Sequence, residues 1–296
     1  MIRKYNPDII YAHSSKAGAL ARITNIFQRK FLIYNPHGWA FNMGVSSVKK
    51  IMYIYIEKIL SLFCNRIIAI SEWEKKSALE YNICDEKKII LIPNGIDVEE
   101  YENRIKNDLQ LYIPNNSIVI GMVGRISKQK SPEIFVKSAY EIKKVIPNSY
   151  FIIVGDGEDR ENIEKEIENL GMQECIFITG WVSNIYDYID RFDIAMLLSK
   201  WEGFGLALVE YMISGKPIIA NNVDAIPEII EDKKTGLIVN KNNIEEIVDA
   251  TVKLVNDQEF RKFLIKNSKN KVYEKYDVRR VVKNHTDLYE SSWREK

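Results

Sequence analysis

The sequence has few of the residues that build disulfides, metal sites or membrane spans. Only three of its 296 residues are cysteines and three are histidines. Cys64, Cys84 and Cys175 are odd in number, lie far apart and lack metal-ligand spacing, which fits a reducing cytoplasm. The histidines form no metal pattern, no apolar run reaches transmembrane length, and no signal peptide is recognisable at the N-terminus. The sequence thus predicts a cytoplasmic globular protein without a metal site.

The net charge is close to zero, but the charge is unevenly distributed. Residues 1–97 hold 14 Lys and Arg against 8 Asp and Glu, whereas residues 98–296 hold 28 against 33, for a formal net charge of +1. A basic first part could face anionic lipid or a phosphorylated acceptor. It could equally be an ordinary solvated surface, so the charge pattern leaves both interpretations open.

Apolar runs alternate with helical patterns along the whole chain. The runs predict strands at about residues 7–12, 30–34, 66–70, 89–92, 118–123, 150–154, 175–178, 193–198, 217–220 and 236–239. Strands that alternate with helices form a parallel sheet with helices on both faces. The sequence therefore predicts an α/β protein with two Rossmann-like domains.

The first predicted domain, residues 1–97, is short. The turn-forming segment Pro93-Asn94-Gly95-Ile96-Asp97 ends it. It contains only about four strands and begins at a strand, so we expect its leading βαβ units to be missing. Within it, Ser71 followed by Glu74 predicts a capping box at the start of a helix.

The second predicted domain, residues 98–277, has a full set of strands. Residues 98–116 are polar and predict a loop ahead of its first strand. The tail is helical from about residue 244 and breaks near Tyr276 and Asp277. Its last helix, about residues 278–296, is expected to pack back on the first domain.

The most informative stretch is the turn at residues 201–210. A predicted strand precedes it, Gly203 and Gly205 lie within it, and a helix follows. Strand, glycine-rich turn and helix aim backbone N–H groups at an anion such as phosphate. Glu202 and Glu210 suit the hydroxyls of a sugar. The combination predicts a nucleotide sugar, although a plain βα turn can carry the same residues.

A second predicted site loop follows the strand at 118–123. Gly124 and Arg125 come directly after that strand, and Lys130 lies five residues further on. Arg binds phosphate oxygens bidentately and Lys acts as a point charge. The pair could hold a diphosphate and the charge that grows on it as a leaving group, or the two could be surface cations. A retaining glycosidase also uses two carboxylates, but Glu202 and Glu210 lie beside phosphate-binding features that a glycosidase does not need.

Two loops of the first domain also carry polar residues after a strand. His37 ends one strand, and a histidine there can donate to a phosphate or sugar oxygen. His13, Ser14 and Lys16 follow another and are candidates for the acceptor side. Structural roles remain open for these residues, since a single histidine often serves packing alone.

Two further segments have a possible binding role. Val182, in the loop after the strand at 175–178, could hold a base through its backbone, whereas the neighbouring Trp181 could serve packing. The predicted helix at 45–63 mixes cations with large apolar residues. Such a helix either touches a membrane surface or packs one face into a core.

Taken together, these motifs resemble those of the retaining glycosyltransferases of family 4, which have the GT-B architecture. The resemblance rests on Gly124-Arg125 with Lys130, Gly155-Asp156-Gly157, Glu202-Gly203-Phe204-Gly205 with Glu210, Ser214-Gly215-Lys216-Pro217, Pro227-Glu228 and Thr235-Gly236. It extends to His37 and Asn94-Gly95-Ile96-Asp97 and covers nearly the whole chain. The family's fold consists of two Rossmann-like domains with parallel sheets facing across a cleft. One departure is residues 222–225, where a glycine-rich pair is common and where we expect little consequence.

The resemblance implies a nucleotide-diphosphate-sugar donor, with UDP favoured over GDP at the level of the family. By this resemblance Arg125 and Lys130 bind the diphosphate, and His37 contacts the sugar–phosphate. Glu202 binds the sugar, Glu210 the ribose and Val182 the base. The backbone around the diphosphate comes from Gly124, Gly203, Phe204, Gly205 and Leu206. Arg125, Lys130, Glu202 and His37 are thereby the implied catalytic set. No metal is implied, because the two cations do its work.

The resemblance also implies a reaction and its surroundings. The anomeric configuration is retained, by attack on the face that the diphosphate leaves. Segments around His13 and His37 are similar to those of bacterial enzymes that build surface polysaccharides on polyprenyl-diphosphate carriers. The expected partners are a glycan or lipid-linked acceptor and the anionic inner face of a membrane, and no nucleic acid. A nucleotide-sugar epimerase of the same architecture and a truncated, non-catalytic nucleotide-sugar-binding subunit are the alternatives.

Overall fold

The computed structural model of the chain describes residues 2–107, 109 and 112–294. It divides into two compact units. The first comprises the described residues of Met1–Gly95 and Val278–Lys296, and the second those of Ile96–Asp277. The named strands of both units pair in parallel. The predicted α/β class is therefore confirmed.

The sheet of the first unit has four strands, which lie side by side in chain order. They are β1 (Ile9–His13), β2 (Phe31–Asn35), β3 (Arg66–Ala69) and β4 (Ile89–Leu91). All five residues of β2 are buried. Its side chains alternate between two cores, with Leu32 and Tyr34 in one and Phe31 and Ile33 in the other. A strand covered on both faces requires such a continuous apolar run.

Helices cover this sheet. They are α1 (Ile2–Tyr5), α2 (Ser15–Gln28), α3 (Ser47–Ser61), α4 (Glu72–Glu80) and the C-terminal helix (Val278–Arg294). Leu288 of the C-terminal helix is buried in one core with Ile33 and Ile68. The last helix of the chain thus belongs to the unit in which the chain begins.

A buried ion pair joins α2 to α3. Arg22 Nη1 donates to Glu57 Oε2 across 2.7 Å, and both side chains are shielded from solvent. The guanidinium carbon of Arg22 also lies 3.9 Å from the centroid of the Tyr34 ring, a cation–π contact. Gly18 makes room for that ring, because a Cβ there would lie 2.2 Å from a ring carbon. Since removing one partner of a buried pair costs about 3–5 kcal/mol, this contact fixes the two helices together.

The sheet of the second unit has six strands. They are β5 (Ile118–Val123), β6 (Ser149–Val154), β7 (Ile176–Ile178), β8 (Ile194–Leu197), β9 (Ile218–Asn221) and β10 (Leu237–Val239). Their order across the sheet is β10-β9-β8-β5-β6-β7. From β5 the chain adds β6 and β7 on one side, then returns to add β8 on the other. The junction of β5 with β8 is therefore a topological switch point, where open α/β sheets bind their ligands.

The helices of the second unit follow the predicted pattern with three differences. They are α5 (Val98–Asn103), α6 (Pro132–Val145), α7 (Arg160–Asn169), α8 (Tyr186–Ile189), α9 (Leu206–Ile213), α10 (Ile226–Ile229), α11 (Ile244–Asn256) and α12 (Gln258–Lys275). The prediction of a loop over residues 98–116 was wrong at its start, where the Asp97 carboxylate accepts from Glu100 N at 2.9 Å and caps α5; residues 108, 110 and 111 lie outside the described part. The prediction also missed α10 and the break at Asp257, which caps α12.

The described helices include none that is both long and apolar enough to cross a membrane. All three cysteines are free thiols.

Candidate functional site

Two loops meet at the switch point of the second unit. One follows β5 and carries Arg125 and Lys130, and the other follows β8 and carries Glu202. The Lys130 Nζ atom donates to Glu202 Oε2 at 2.5 Å, and both side chains are mostly buried. Because the carboxyl ends of adjacent parallel strands lie at the same sheet edge, residues far apart in sequence come into contact here.

The Glu202 side chain and backbone are held by neighbours that the sequence analysis did not select. Ser199 Oγ donates to Glu202 Oε2 at 3.2 Å. The backbone N–H of Glu202 donates to Asp224 Oδ2 at 2.9 Å. Burial raises the pKa of Asp224. Asp224, which lies just beyond β9, therefore orients the backbone of Glu202. The expectation that the missing glycine-rich pair at residues 222–225 has little consequence stays a prediction.

The turn between Glu202 and α9 depends on glycine at one position. Gly205 has a φ of +89°, and a Cβ there would lie 3.2 Å from Glu202 Cγ and 3.3 Å from Leu208 Cδ1. The left-handed conformation favours glycine. The helix then begins at Leu206 with no acidic residue in its first turn, which leaves the positive end of the helix dipole uncompensated by carboxylates of its own first turn.

Phe204 packs rather than faces the cavity. Its side chain is buried and meets the Tyr276 ring edge-on, with the ring centroids 5.7 Å apart. Only its backbone is left for a ligand-binding role. The neighbouring Gly203 lies half-buried in the same turn.

Glu210 lies one turn into α9 and is half-buried. Burial raises the pKa of its carboxyl to about 7, and the positive charge of Lys130 opposes that rise. Among the residues that the structure describes, no group donates a hydrogen bond to this carboxylate. Glu210 in turn adds to the effect of burial in raising the pKa of Tyr186. A carboxyl of this kind is suited to a neutral hydroxyl, which can share a proton with it.

A cavity of about 810 Å³ opens beside the two loops. Its lining residues are Arg125, Ser127, Lys128, Gln129, Lys130, Glu158, Asp159, Trp201 and Glu202. Gln129 fastens the loops together, because its Nε2 donates to Trp201 O at 3.1 Å and its backbone O accepts from Lys200 N at 2.8 Å. Gln129 was not predicted, and only the tertiary contact reveals it.

The loop after β6 packs closely under the loop after β5. A Cβ at Gly155 would lie 2.1 Å from Gly124 O, and one at Gly157 would lie 2.3 Å from Ile126 O. Asp156 O accepts from Ile126 N at 2.9 Å. The glycines of the Gly-Asp-Gly motif thus allow the backbones of the two loops to approach closely, which positions Gly124 and Arg125 at the cavity.

Val182 lies apart from this cavity, in the loop after β7. It precedes a segment that lines a second cavity of about 530 Å³, together with Tyr101 and Arg104. Arg104 is bonded to both oxygens of Asp190 at 2.8 Å. The structure therefore brings Arg125, Lys130 and Glu202 together and leaves Val182 outside the lining of their cavity.

The predicted residues of the first unit form a separate cluster. His13 Nδ1 and His37 Nε2 lie 2.8 Å apart, so one ring nitrogen donates and the other accepts. Burial lowers the pKa of both rings; the charge of His285 lowers that of His13 further, and the charge of His13 that of His37. His285 reaches the cluster from the C-terminal helix, with its Nε2 atom 3.1 Å from Tyr11 Oη. The three histidines, distant in sequence, thus share one network.

Ser14 and Lys16 lie next to this cluster. Ser14 adopts a φ of +69° directly before α2, and its backbone N–H donates to Asn35 O at 3.0 Å. Lys16 lies exposed in the first turn of α2. Both therefore lie within three residues of His13 in the chain.

Glu74 is the residue that supports the His37 loop. It is fully buried, and its carboxylate accepts from Gly38 N at 2.7 Å and from Ile70 N at 2.6 Å. Burial raises its pKa to about 7. The predicted cap is confirmed on one side, where Ser71 Oγ accepts from Glu74 N. The Glu74 carboxylate thereby connects the start of α4 to the loop after β2.

Comparison with known protein families agrees with the geometry. The family model described as Glycosyl transferases group 1 matches residues 81–271, about two thirds of the chain. The chain belongs to the group 1 glycosyl transferases. A second model, Glycosyltransferase Family 4, matches residues 1–100 of this glycosyltransferase.

Individual relatives of this group 1 glycosyltransferase cover nearly its whole length. It is 30% identical to the UDP-Gal:alpha-D-GlcNAc-diphosphoundecaprenol alpha-1,3-galactosyltransferase of Escherichia coli, over 98% of this chain and 76% of the relative. It is 26% identical to the capsular polysaccharide biosynthesis glycosyltransferase CapM of Staphylococcus aureus, over 100% of this chain and 80% of CapM.

The fold has a counterpart among solved structures. The crystal structure of Anabaena HepE in complex with UDP and glucose superposes with a TM-score of 0.88, at 21% identity, over 98% of this chain and 79% of HepE. This likeness confirms the GT-B type of fold predicted for the glycosyltransferase.

Proposed function

We propose that this chain transfers a sugar from a UDP-sugar to a glycan or polyprenyl-diphosphate-linked acceptor, with retention of the anomeric configuration, in bacterial surface polysaccharide synthesis. The observation that carries the proposal is the Lys130–Glu202 contact beside Arg125 at the switch point of the second unit. The named activities of the Escherichia coli and Staphylococcus aureus relatives support the choice of donor and product class. HepE, crystallised with UDP and glucose, supports UDP.

The donor diphosphate belongs with Arg125 and Lys130. Arg125 is exposed at the cavity and Lys130 lies deeper within it. In the structure the Lys130 charge is matched by Glu202. On donor binding, a phosphate oxygen accepts from Lys130 in place of Glu202. A sugar hydroxyl then donates to the Glu202 oxygen that Lys130 has released. The two charges therefore exchange partners, and no group is left buried without one.

The backbone of the turn supplies the remaining donor contacts. We assign the amides at Gly205 and Leu206 to the diphosphate and place Gly203 in the same binding turn, because the start of a helix attracts anions. Gly124 and Phe204 contribute backbone to the same cradle. Phe204 does so with its side chain anchored in the core.

The nucleoside belongs with Glu210 and Val182. A carboxyl whose pKa is raised to about 7 by burial can accept from or donate to a ribose hydroxyl. Val182 would hold the base through its backbone. Glu210 lies in α9, just after the turn, and Val182 lies in the loop after β7.

The chemistry needs no nucleophilic side chain. The bond between the anomeric carbon and the diphosphate oxygen breaks, and the acceptor oxygen forms its bond on the same face of the sugar. The acceptor's proton passes to the departing diphosphate. Arg125 and Lys130 stabilise the negative charge of that leaving group, so we propose that no metal ion is required.

The acceptor belongs with the first unit. His13, Ser14, Lys16 and His37 form its polar cluster, and Lys16 can pair with an anionic phosphate. A polyprenyl-diphosphate carrier would bring the reaction to the inner, cytoplasmic face of a membrane. His37, whose ring is hydrogen-bonded to that of His13, is the residue we assign to catalysis on this side.

Calorimetry with UDP and UDP-sugars tests the donor assignment. We expect saturable binding of UDP to the folded chain, tighter than that of uridine, because the cations contact the diphosphate. Absence of heat at millimolar UDP, from a sample that unfolds cooperatively, would overturn the proposal. Assay of transfer to a polyprenyl-diphosphate-linked sugar then tests the reaction itself.

A further inference from the structure

Helix α3 exposes a row of large apolar residues to solvent. Val48, Ile51, Tyr55 and Ile59, with Leu62 just beyond the helix, are each 55–79% exposed. Their spacing of three and four residues forms one stripe along the helix. The stripe faces solvent.

The opposite side of α3 is occupied by a polar contact. Glu57 is buried there and pairs with Arg22 of α2, next to Ile54 and Leu60. The ion pair therefore sets the orientation of the helix, because turning Glu57 to the surface would break its contact with Arg22. Exposure of the apolar stripe is thus a stable feature of the fold.

Helix α2 extends the apolar surface. Leu20, Ile23 and Phe27 are 69%, 48% and 78% exposed and lie on one side of α2 at helical spacing. The Arg22–Glu57 pair holds α2 beside α3. We call these two helices with their exposed apolar residues the α2–α3 surface. Contiguous exposed apolar area of this kind marks an interaction site.

The charges of the α2–α3 surface have one sign. Helix α2 contains no acidic residue, and the only carboxylate of α3 is the buried Glu57. Lys16 and Lys49 are exposed on the two helices, and Lys58 is half-exposed. Apolar side chains combined with cations suit a bilayer that carries anionic headgroups.

We propose that the α2–α3 surface seats the protein on an anionic lipid bilayer, with the helices lying along the membrane plane. Helix α3 has 15 residues and is about 22 Å long, too short to span a bilayer but long enough to lie within its interface. The choice of a bilayer over another protein rests on the proposed function, in which the acceptor is carried by a lipid, and on the charge complementarity.

Flotation with vesicles tests this inference on the full chain. The probes are vesicles of phosphatidylcholine alone and vesicles with about 30% phosphatidylglycerol, at about 0.1 M and 0.5 M salt. We expect binding to the anionic vesicles that weakens with salt. The double variant Ile51→Glu with Ile59→Glu should lower the bound fraction at least about tenfold, and Lys49→Gln should lower it about fivefold.

A matched control replaces two exposed apolar residues of the second unit by glutamate. Val145 and Phe263 are 55% and 50% exposed, so Val145→Glu with Phe263→Glu should leave vesicle binding unchanged. Thermal unfolding should show both double variants folded, as expected for exposed positions.

Two results would overturn the inference. One is equal vesicle binding by the wild type and the Ile51→Glu, Ile59→Glu variant. The other is that the wild type does not bind vesicles but forms a dimer, whereas the Ile51→Glu, Ile59→Glu variant is a monomer. The surface would then be covered by a second copy of the chain. UDP calorimetry on the same samples separates the two proposals: loss of UDP binding with intact vesicle binding would count against the donor site alone.

Discussion

Lys130 Nζ and Glu202 Oε2 lie 2.5 Å apart across the switch point, although 72 residues separate them in the chain. Each neutralises the other in a mostly buried position. A buried pair is costly to break by removing one partner, because the other is left as an uncompensated charge. The pair therefore holds the two site loops together while no donor is bound.

Substitution of Lys130 tests this coupling. We expect Lys130→Met to lower the free energy of unfolding by about 3 kcal/mol, because Glu202 is left without its cation. Lys130→Met combined with Glu202→Gln should recover most of that loss, since no charge remains unpaired. Denaturant unfolding measures both variants. If the double variant is less stable than the single one, the Glu202 charge is not the cause.

Glu202 is expected to act on the sugar and not on the nucleotide. Glu202→Ala should lower the rate of transfer about a hundredfold or more, because the sugar hydroxyls lose their acceptor. UDP affinity, measured by calorimetry, should change little. Loss of UDP binding in this variant would instead assign Glu202 to the nucleotide.

Asp224 orients Glu202 through one backbone hydrogen bond. Asp224→Ala should lower the rate of transfer about tenfold, which corresponds to one charge-assisted hydrogen bond. Asp224→Asn should keep most of the activity, because an amide oxygen can accept the same N–H. Equal losses in the two variants would point to the Asp224 charge and away from an orienting role.

Glu210 makes stability depend on pH. Its folded pKa of about 7 lies above its ordinary value of 4.5, so the native state holds the proton more tightly than the unfolded chain. The stabilisation is complete below about pH 4.5 and is lost as the pH rises through about 7, to a total of about 3 kcal/mol. Glu210→Gln should remove this part of the pH dependence. The fully buried Glu74 titrates in the same range, and comparison of wild type with Glu210→Gln by urea unfolding at several pH values cancels its contribution.

Transfer should not depend on a divalent metal. Arg125 and Lys130 supply the positive charge at the proposed diphosphate site, so a chelator should leave the rate within about twofold. The measurement is sugar transfer before and after dialysis against the chelator. Activity that disappears and returns with magnesium or manganese would contradict the proposal.

The secondary structure could be predicted well because local patterns determine most of it. The predicted strand at 118–123 coincides with β5, since a buried apolar run is a local signal. The break near Tyr276 is also confirmed, as α12 ends at Lys275 and the next helix begins at Val278. The short helices α5 and α10 were missed because their stability comes from capping and packing more than from propensity.

The candidate site could be predicted in part. Arg125, Lys130 and Glu202 follow strands at their carboxyl ends, and the order of strands in a doubly wound sheet brings such loops together. Asp224, Gln129 and Glu74 were not predicted as site residues. Each acts through a hydrogen bond to a distant backbone group, and only the tertiary structure determines the partner of such a bond.

The sequence by itself determined the α/β class, the two series of strands, and the glycine and charged residues of the turn at 201–210, because these depend on periodicity and on local backbone conformation. Only the tertiary structure decided which charges meet. It joined Lys130 to Glu202, and it gathered His13, His37 and His285 into one network. It also oriented α3 so that Glu57, paired with Arg22, and Ile54 are buried while the apolar stripe faces solvent. The physical reason is the same in each case. Contacts between distant residues depend on the order in which the strands pair and on which polar groups are buried and must find a partner within the protein.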